Sequence, residues 1–496
     1  METIKFKDEK FEKLIRKTLN KFEGEITIKD METIEKIGEI IHFTPYKNDV
    51  FYHVWSEQNE ESFTDISGIE YCINLKYLKL RMDVNSNGNI DRLSGLICLT
   101  DLFLEGTAIR DISCLSTLSN LTNLYLYQIN MNDLNSLSEL LNLKNLHIQN
   151  CTFCNINSLT NLVNLERLVL SNNNIGDMSS LSILSNLRFL MLEGDSIFNI
   201  NTLNKLVNLE KLNLHTNQVK DIKSLCDLVN LKELHLSGNN IDISPLSELA
   251  KLKILNIGYD TTNDISPLNA LVNLENLMIW KNNISDIDAL KKLFNLKKLG
   301  IVDNQISNIR PLSELVNLTV LSLARNQIQD VYALKNLTNL ERLDLSGQQI
   351  SDISVLSNMI NLSYLTVNNS NIEDVDSLSN LVNLRHLELS KNKIYSINSL
   401  SMLFSLNYLV LSENLIEDIN PLINLLNLEY LDLNTNKIID INTSSKLINL
   451  RTLILSGNTI NDITPLSKLT KLVSLHLIGD SVIDFSPVAH VKQIFQ

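Results

Sequence analysis

From Leu75 onward the chain repeats itself every 22 residues. Leu165, Leu168, Leu170, Asn173, Ile175, Asp177, Met178, Leu181 and Leu184 return in the next unit as Leu187, Leu190, Leu192, Asp195, Ile197, Asn199, Ile200, Leu203 and Leu206. A short fixed period lets each unit contact only its neighbours, so 496 residues need not mean several domains. The segment x-L-x-L-x alternates apolar and polar side chains. It therefore reads as a short strand, with Leu168 and Leu170 facing inward and Arg167, Val169 and Ser171 facing the other way. Stacked units place these strands side by side as a parallel sheet, with the alternate residues lining one continuous face.

The rest of each unit must bring the chain back. Six of the seven prolines (Pro245, Pro267, Pro311, Pro421, Pro465 and Pro487) share one repeat position, and Ser244, Ser266, Thr464 and Ser486 precede four of them. A hydroxyl N-cap followed by proline predicts a short helix or 3₁₀ turn there. Asn just before the first leucine (Asn164, Asn230, Asn317, Asn383) is expected to end that turn in the left-handed conformation. The Asn eight residues on (Asn173, Asn217, Asn326, Asn436) both donates and accepts, which suits it to satisfy turn backbone groups in its own and adjacent coils. Asp83, Asp195, Asp260 and Asp480 in that slot lose the donor, and Ile129 loses both functions, so a weaker ladder is expected around Ile129.

Counting from Leu75 to Leu472 gives nineteen coils. The expected organisation is an N-terminal cap at 1–52, a degenerate capping repeat at 53–74, repeats over 75–480 and a closing element at 481–496. Lids are needed because the end coils would otherwise expose their leucines and an open sheet edge. Phe11, Leu14, Ile15 and Leu19 recur at helical spacing, and Thr27 with Asp30 reads as a capping box. His42, Phe43, Tyr46, Phe51, Tyr52, His53 and Trp55 form an aromatic cluster that would pack over the first coil or serve as a binding loop. Two coils break the count. The unit at Leu75 has two extra residues around Asn85 to Gly88, and the unit at Leu231 is one short around Asn240 to Ile243.

A net charge of -14 disfavours nucleic acid or an anionic membrane as partner and suits a protein with a basic surface. No stretch of 18 apolar residues is present, so no membrane insertion is expected. The Lys- and Glu-dense N-terminus has no secretion-signal core, and the cysteines read as free thiols. A cytoplasmic location is therefore expected, or a secreted or cell-surface one if a leader has been removed. Cys151 and Cys154 form a lone C-x-x-C, which ordinary repeat positions explain without zinc or redox chemistry.

The 22-residue units, with D-I-x-P-L and N-L-x-x-L-x-L, resemble the bacterial internalin-type (SDS22-like) leucine-rich repeat class. Phe6 to Ile34, Gly68 to Leu80 and the closing Ser486 to His490 are similar to segments flanking such repeats. The resemblance implies an α/β fold: a leucine-rich repeat solenoid, a curved right-handed superhelix. It would have a concave parallel β-sheet, short helices or 3₁₀ turns on the convex side and an N-terminal helical cap. It also implies a recognition protein, frequently an adhesin or invasion factor that holds a host receptor on its inner face.

On that face the repeat phase picks out two partner-binding patches. Phe103, Tyr125, Tyr127, His147, Phe189 and Met191 form the first, and Tyr364, His386, Tyr408 and Tyr430 the second, with Met278 and Trp280 on neighbouring rows. Exposed aromatic and Met side chains characterise interface cores, while stacking between strands is the structural alternative. His215 and His235 lie in neighbouring units but lack further converging ligands for a metal. The Asp column at Asp111, Asp133, Asp177, Asp221 and Asp286 suits turn hydrogen bonds better than calcium. No nucleophile, base and orienter stand outside the repeat phase, and no cofactor is expected. The sequence thus predicts a non-catalytic, monomeric protein-recognition module with a concave binding face, with a structural spacer or stalk as the alternative.

Overall fold

The computed structural model describes residues 2–39, 61–151, 155–259 and 261–496. The aromatic cluster between His42 and Trp55, Cys154 and Asp260 lie outside them. The chain divides into two compact units, 1–245 and 246–496.

In the first unit, Asp8 caps helix α1 (Glu9–Leu19) by accepting from the Lys10 and Phe11 amides at 2.8 and 3.0 Å. The second carboxylate oxygen of Asp8 takes the Thr64 amide and hydroxyl at 2.6 and 2.7 Å, which ties the helix to the segment before the repeats. Phe11 and Ile15 are its buried face, and Phe11 meets Phe63 edge-on at 5.5 Å. Helix α2 (Ile28–Glu32) opens with the reciprocal Thr27–Asp30 capping box. The short strand Lys36–Ile37 then pairs in parallel with Tyr77–Arg81, covering the edge of the first coil.

Strands follow at the repeat spacing, parallel and in register from Tyr77–Arg81 to Glu233–His235. In the second unit they run from Ile254–Gly258 to Ser474–His476, with Gln493–Phe495 added at the end. Leucines such as Leu168, Leu190, Leu387 and Leu409 are fully buried. The return halves are 3₁₀ turns, for example Ser266–Ala270 and Asn420–Asn424. Each unit is thus a repeat solenoid in which the sheet and the turn stack share one leucine core.

Two local expectations are corrected. The hydroxyl before proline does not cap the turn: at Ser266–Ala270 the N-cap residue is Ile265, whose side chain is buried. The capping acceptor is the aspartate two residues earlier, with Asp264 Oδ1 taking the Ser266 amide at 2.8 Å. The same bond explains the whole Asp column, since Asp111, Asp177 and Asp286 accept from the Ser113, Ser179 and Asp288 amides at 2.8, 2.9 and 2.8 Å. The second correction concerns Asn164, Asn230, Asn317 and Asn383, none of which is left-handed. Their amides reach back one coil instead, as Asn164 does to the Leu141 carbonyl at 2.9 Å and Asn383 to Ile360 at 2.8 Å. The left-handed residue stands just before the ladder slot, at Asn172, Thr216, Arg325, Lys391, Glu413 and Thr435.

The predicted Asn ladder is present and extensive. Asn414 Nδ2 donates to the Leu389, Leu411 and Ser412 carbonyls at 2.9, 3.0 and 3.2 Å, while its Oδ1 accepts from the Ile394 amide at 3.0 Å. Gln348 fills the slot equivalently, taking the Ile328 amide at 2.9 Å. At Ile129 the ladder is patched from the next coil, where Cys151 Sγ accepts the Ile129 amide at 3.4 Å. Asp195 is 1% exposed and still accepts from the Asn173 amide at 2.6 Å. Burial pushes its carboxyl up to about 7, against the opposing pull of the Asn173, Asn174 and Ile175 amides.

Asn414→Ala removes bonds to four backbone groups, of which the Leu389, Leu411 and Ser412 carbonyls keep other donors while the buried Ile394 amide is left without an acceptor, and it is expected to cost about 1–3 kcal/mol, read from urea unfolding. Asp195 gives a signed pH effect. An unfolded chain releases its proton near 3.8 and the folded one near 7, so stability from this group is greatest below pH 4 and is lost as pH rises through that window. Asp195→Asn restores the amide donor. It should raise stability by about 1–3 kcal/mol at pH 8 and abolish that slope, and an unchanged pH profile would contradict this account.

Candidate functional site

The first patch lies in the first unit, and the strand register aligns it. Phe103, Tyr125, His147, Val169 and Met191 occupy one row, with Arg167 and Phe189 on the row beside it. Phe103 stacks on Tyr125 at 4.1 Å and 12°, Tyr125 leans on His147 at 5.5 Å, and the Arg167 guanidinium sits 4.3 Å from the Phe189 ring centre. The expectation of an exposed patch is corrected here. Phe103, Tyr125, His147, Phe189 and Met191 are all 6% exposed or less, and only Tyr127 is half-buried. Neighbouring strands stand about 4.8 Å apart, so rows of bulky side chains stack and shield one another, which accounts for part of that burial. Burial lowers the His147 imidazole to about 4, partly offset by its hydrogen bond with Gln149. The Tyr125 phenol is pushed up by burial.

The two neighbouring histidines also form a polar group, His235 buried and His215 half-buried. The His215 and His235 rings are 5.2 Å apart, His235 Nε2 lies 3.0 Å from Glu233 Oε1, and Lys211 pairs with the same carboxylate group. Burial and the His235 charge bring His215 down to about 4. Among the described residues no group of three or more His, Cys, Asp or Glu is placed to hold a metal ion.

The second patch, in the second unit, is open. Tyr364, His386, Tyr408 and Tyr430 stand on four successive strands, opposite one another in register. Their rings stack at 4.1, 4.2 and 4.3 Å with interplanar angles of 11°, 5° and 9°. Arg342 extends the column, its guanidinium 4.5 Å from the Tyr364 ring centre. The faces are taken up by stacking, so ring edges and hydroxyls are what solvent meets, and all four rings are half-exposed.

The row beside the column carries Asp344, Glu388 and Asp432, a carboxylate on every second strand. Asp344 accepts from Thr366 Oγ1 at 2.7 Å, Glu388 bonds His386 Nε2 at 2.6 Å and Asn368 Nδ2 at 2.8 Å, and Asp432 takes the Asn434 amide at 2.9 Å. Among the described residues no Lys or Arg forms an ion pair with any of the three. Burial raises the Tyr364, Tyr408 and Tyr430 phenols, Tyr408 to about 12, with Glu388 and Asp432 adding to the rise at Tyr408. The sequence reading picked the aromatic column by phase but missed this acidic row, although Asp344, Glu388 and Asp432 share one repeat position.

Trp280 is exposed and Met278 half-buried. Gly300 makes room for both, since a Cβ there would lie 2.7 Å from Met278 Sδ and 3.3 Å from Trp280 Nε1.

Parallel strands, 3₁₀ returns and an Asn ladder at a leucine period define a leucine-rich repeat solenoid. The family described as Leucine Rich repeats (2 copies) matches residues 294–336, 316–358 and 448–490. Among solved structures, a leucine-rich repeat protein of Leptospira interrogans is similar at 27% identity and a TM-score of 0.68, over 73% of this chain and 98% of that one. The Arabidopsis receptor kinase HAESA ectodomain, solved in complex with a peptide hormone, shares the fold at 20% identity and a TM-score of 0.62, over 83% of this chain and 76% of that one. An internalin of Listeria monocytogenes matches over 95% of both chains at 25% identity, with a TM-score of only 0.35. No curated protein matches in sequence.

Proposed function

We propose that the chain is a non-catalytic recognition module whose second unit holds an extended, Lys- or Arg-bearing segment of a protein partner across the strand face. The observation that supports this is the half-exposed Tyr364–His386–Tyr408–Tyr430 column edged by Asp344, Glu388 and Asp432, which lack Lys or Arg partners among the described residues. Parallel strands repeat the carboxylate every second strand, roughly 9.5 Å apart. A segment in the extended polyproline II conformation rises about 3.1 Å per residue with three residues per turn, so cations three residues apart share one face at about 9.3 Å and meet that spacing. Ring edges and phenol hydroxyls supply hydrogen bonds and apolar contact between them. Recognition of peptide ligands by proteins of this fold is seen in the plant receptors, including HAESA with its peptide hormone.

The spacer reading calls for a uniformly polar strand face, and the half-exposed aromatic column favours the binder. The first patch is not part of the proposed surface because it is buried. The free thiols of Cys72, Cys98, Cys114 and Cys151 suit a reducing compartment, and on that ground we propose a cytoplasmic location.

A displayed random-peptide library panned against the full chain tests the proposal. Enrichment of sequences with Lys or Arg at three-residue intervals is expected. The Asp344→Asn, Glu388→Gln, Asp432→Asn triple variant, which keeps side-chain shape, should bind those peptides at least tenfold more weakly, with a flatter salt dependence. Enrichment of acidic or purely apolar peptides, or equal binding by the triple variant, would overturn it.

A further inference from the structure

The residue two places before the first leucine of a coil is apolar and exposed along much of the chain, as at Val163, Val207, Val272, Phe294 and Val316. Mostly this makes a stripe one residue wide. Lys291 and Lys292 stand beside Phe294, and Ser379 and Asn380 beside Val382. In the second unit the stripe widens over two successive coils, because Met402 and Ile423 occupy those flanking places. Val382, Met402, Phe404, Ile423, Leu426 and Ile448 are each between 40% and 54% exposed. The patch lies where the chain passes from a 3₁₀ turn back to a strand, as between Asn398–Met402 and Tyr408–Val410. It is therefore separate from the strand face and its tyrosine column.

At the centre of the patch the backbone is engaged on both sides. The Phe404 amide donates to the Met402 carbonyl at 2.9 Å, and the Phe404 carbonyl accepts from Asn427 Nδ2 at 2.8 Å. At Leu426 the partners are the Asn424 carbonyl at 2.9 Å and Asn449 Nδ2 at 2.8 Å. An added strand thus gains no backbone bonds here. What is on offer is side-chain contact over a pre-ordered backbone, which suits another folded surface.

A half-open large side chain leaves on the order of 80 Å² for contact, so the six present roughly 500 Å². A standard interface takes about 800 Å² from each partner, and about 65% of a homodimer's is apolar. The patch matches the apolar core of one half of such a dimer. Residues 401–405 and 423–427 carry no charge, so two chains of net charge -14 meet there on neutral surface.

We propose that this patch joins two copies of the chain about a two-fold axis that crosses the coils between Phe404 and Leu426, in place of the monomer expected from the sequence. The contact is isologous, and each coil faces the one equally far beyond the axis. In the row just after the first leucine, Glu341 then faces the partner's Arg451, Arg385 the partner's Asn407, and Glu429 the partner's Ser363. Opposite charges meet and like charges do not. Both tyrosine columns stay open.

Sedimentation equilibrium of the full chain up to about 100 μM tests this. A reversible dimer is expected within that range. Met402→Lys with Ile423→Lys, which copies Lys292 and Lys335 from the same repeat places, should weaken it at least tenfold with an unchanged circular dichroism spectrum. Ile183→Lys, the matching change in the first unit, should leave it intact. Glu341→Lys should weaken the dimer at low salt, and Arg451→Glu added to it should restore it. A chain that stays monomeric throughout would overturn the proposal and leave the patch to a different protein. Equal dimerisation by the double-lysine chain would overturn it too, and a charge swap that restores nothing would overturn the axis.

Discussion

Everything in both units depends on a buried carboxamide that answers backbone groups which no water reaches. The chain turns out of each strand into the core, and that turn leaves carbonyls and an amide inside a leucine-lined interior. Asn217, Asn326, Asn392, Asn414, Asn436 and Asn458 each hold carbonyls of two coils at once and accept an amide from one of them. Hydrophobic burial is non-directional and would tolerate coils sliding past one another, whereas this bonding fixes their register. The strand face is aligned, row upon row, because the ladder behind it is.

That alignment produces different results in the two units. In the first, large side chains in consecutive strands press together and are hidden, as with Phe103 on Tyr125. In the second, the column from Arg342 to Tyr430 stacks as tightly, yet its edges stay open and its neighbouring row alternates Asp344, Thr366, Glu388, Val410 and Asp432. Repetition therefore supplies a scaffold of parallel rows, and the residues that differ between repeats decide whether a row becomes core or surface.

The period-two leucines, the ladder asparagines and the capping box at Thr27 were legible in the sequence because each follows from a local rule of side-chain direction or hydrogen-bond inventory. The left-handed joint was not. It falls on Lys391, Glu413, Arg325 and Thr435, residues with no turn preference, because tertiary bonding on both sides imposes the conformation. The capping aspartates were visible as a column, but the proline drew attention to the wrong neighbour. Exposure was the hardest property to read. Phase tells which face a side chain is on, yet Phe103 and Tyr408 share a face type and differ in burial, which depends on what surrounds each row.

The side chains of the ladder asparagines and of the outer asparagines reach back toward the preceding coil. Asn436 donates to Leu411 and receives from Ile416, Asn217 does the same for Leu192 and Ile197, and the outer asparagines such as Asn164 and Asn383 likewise reach toward the preceding coil. Where the next coil carries such an asparagine, the turn is finished by the coil made after it. During synthesis on the ribosome, the newest coil therefore stays open until the next 22 residues emerge, so growth from the N-terminus closes the stack behind it and gives assembly a built-in polarity.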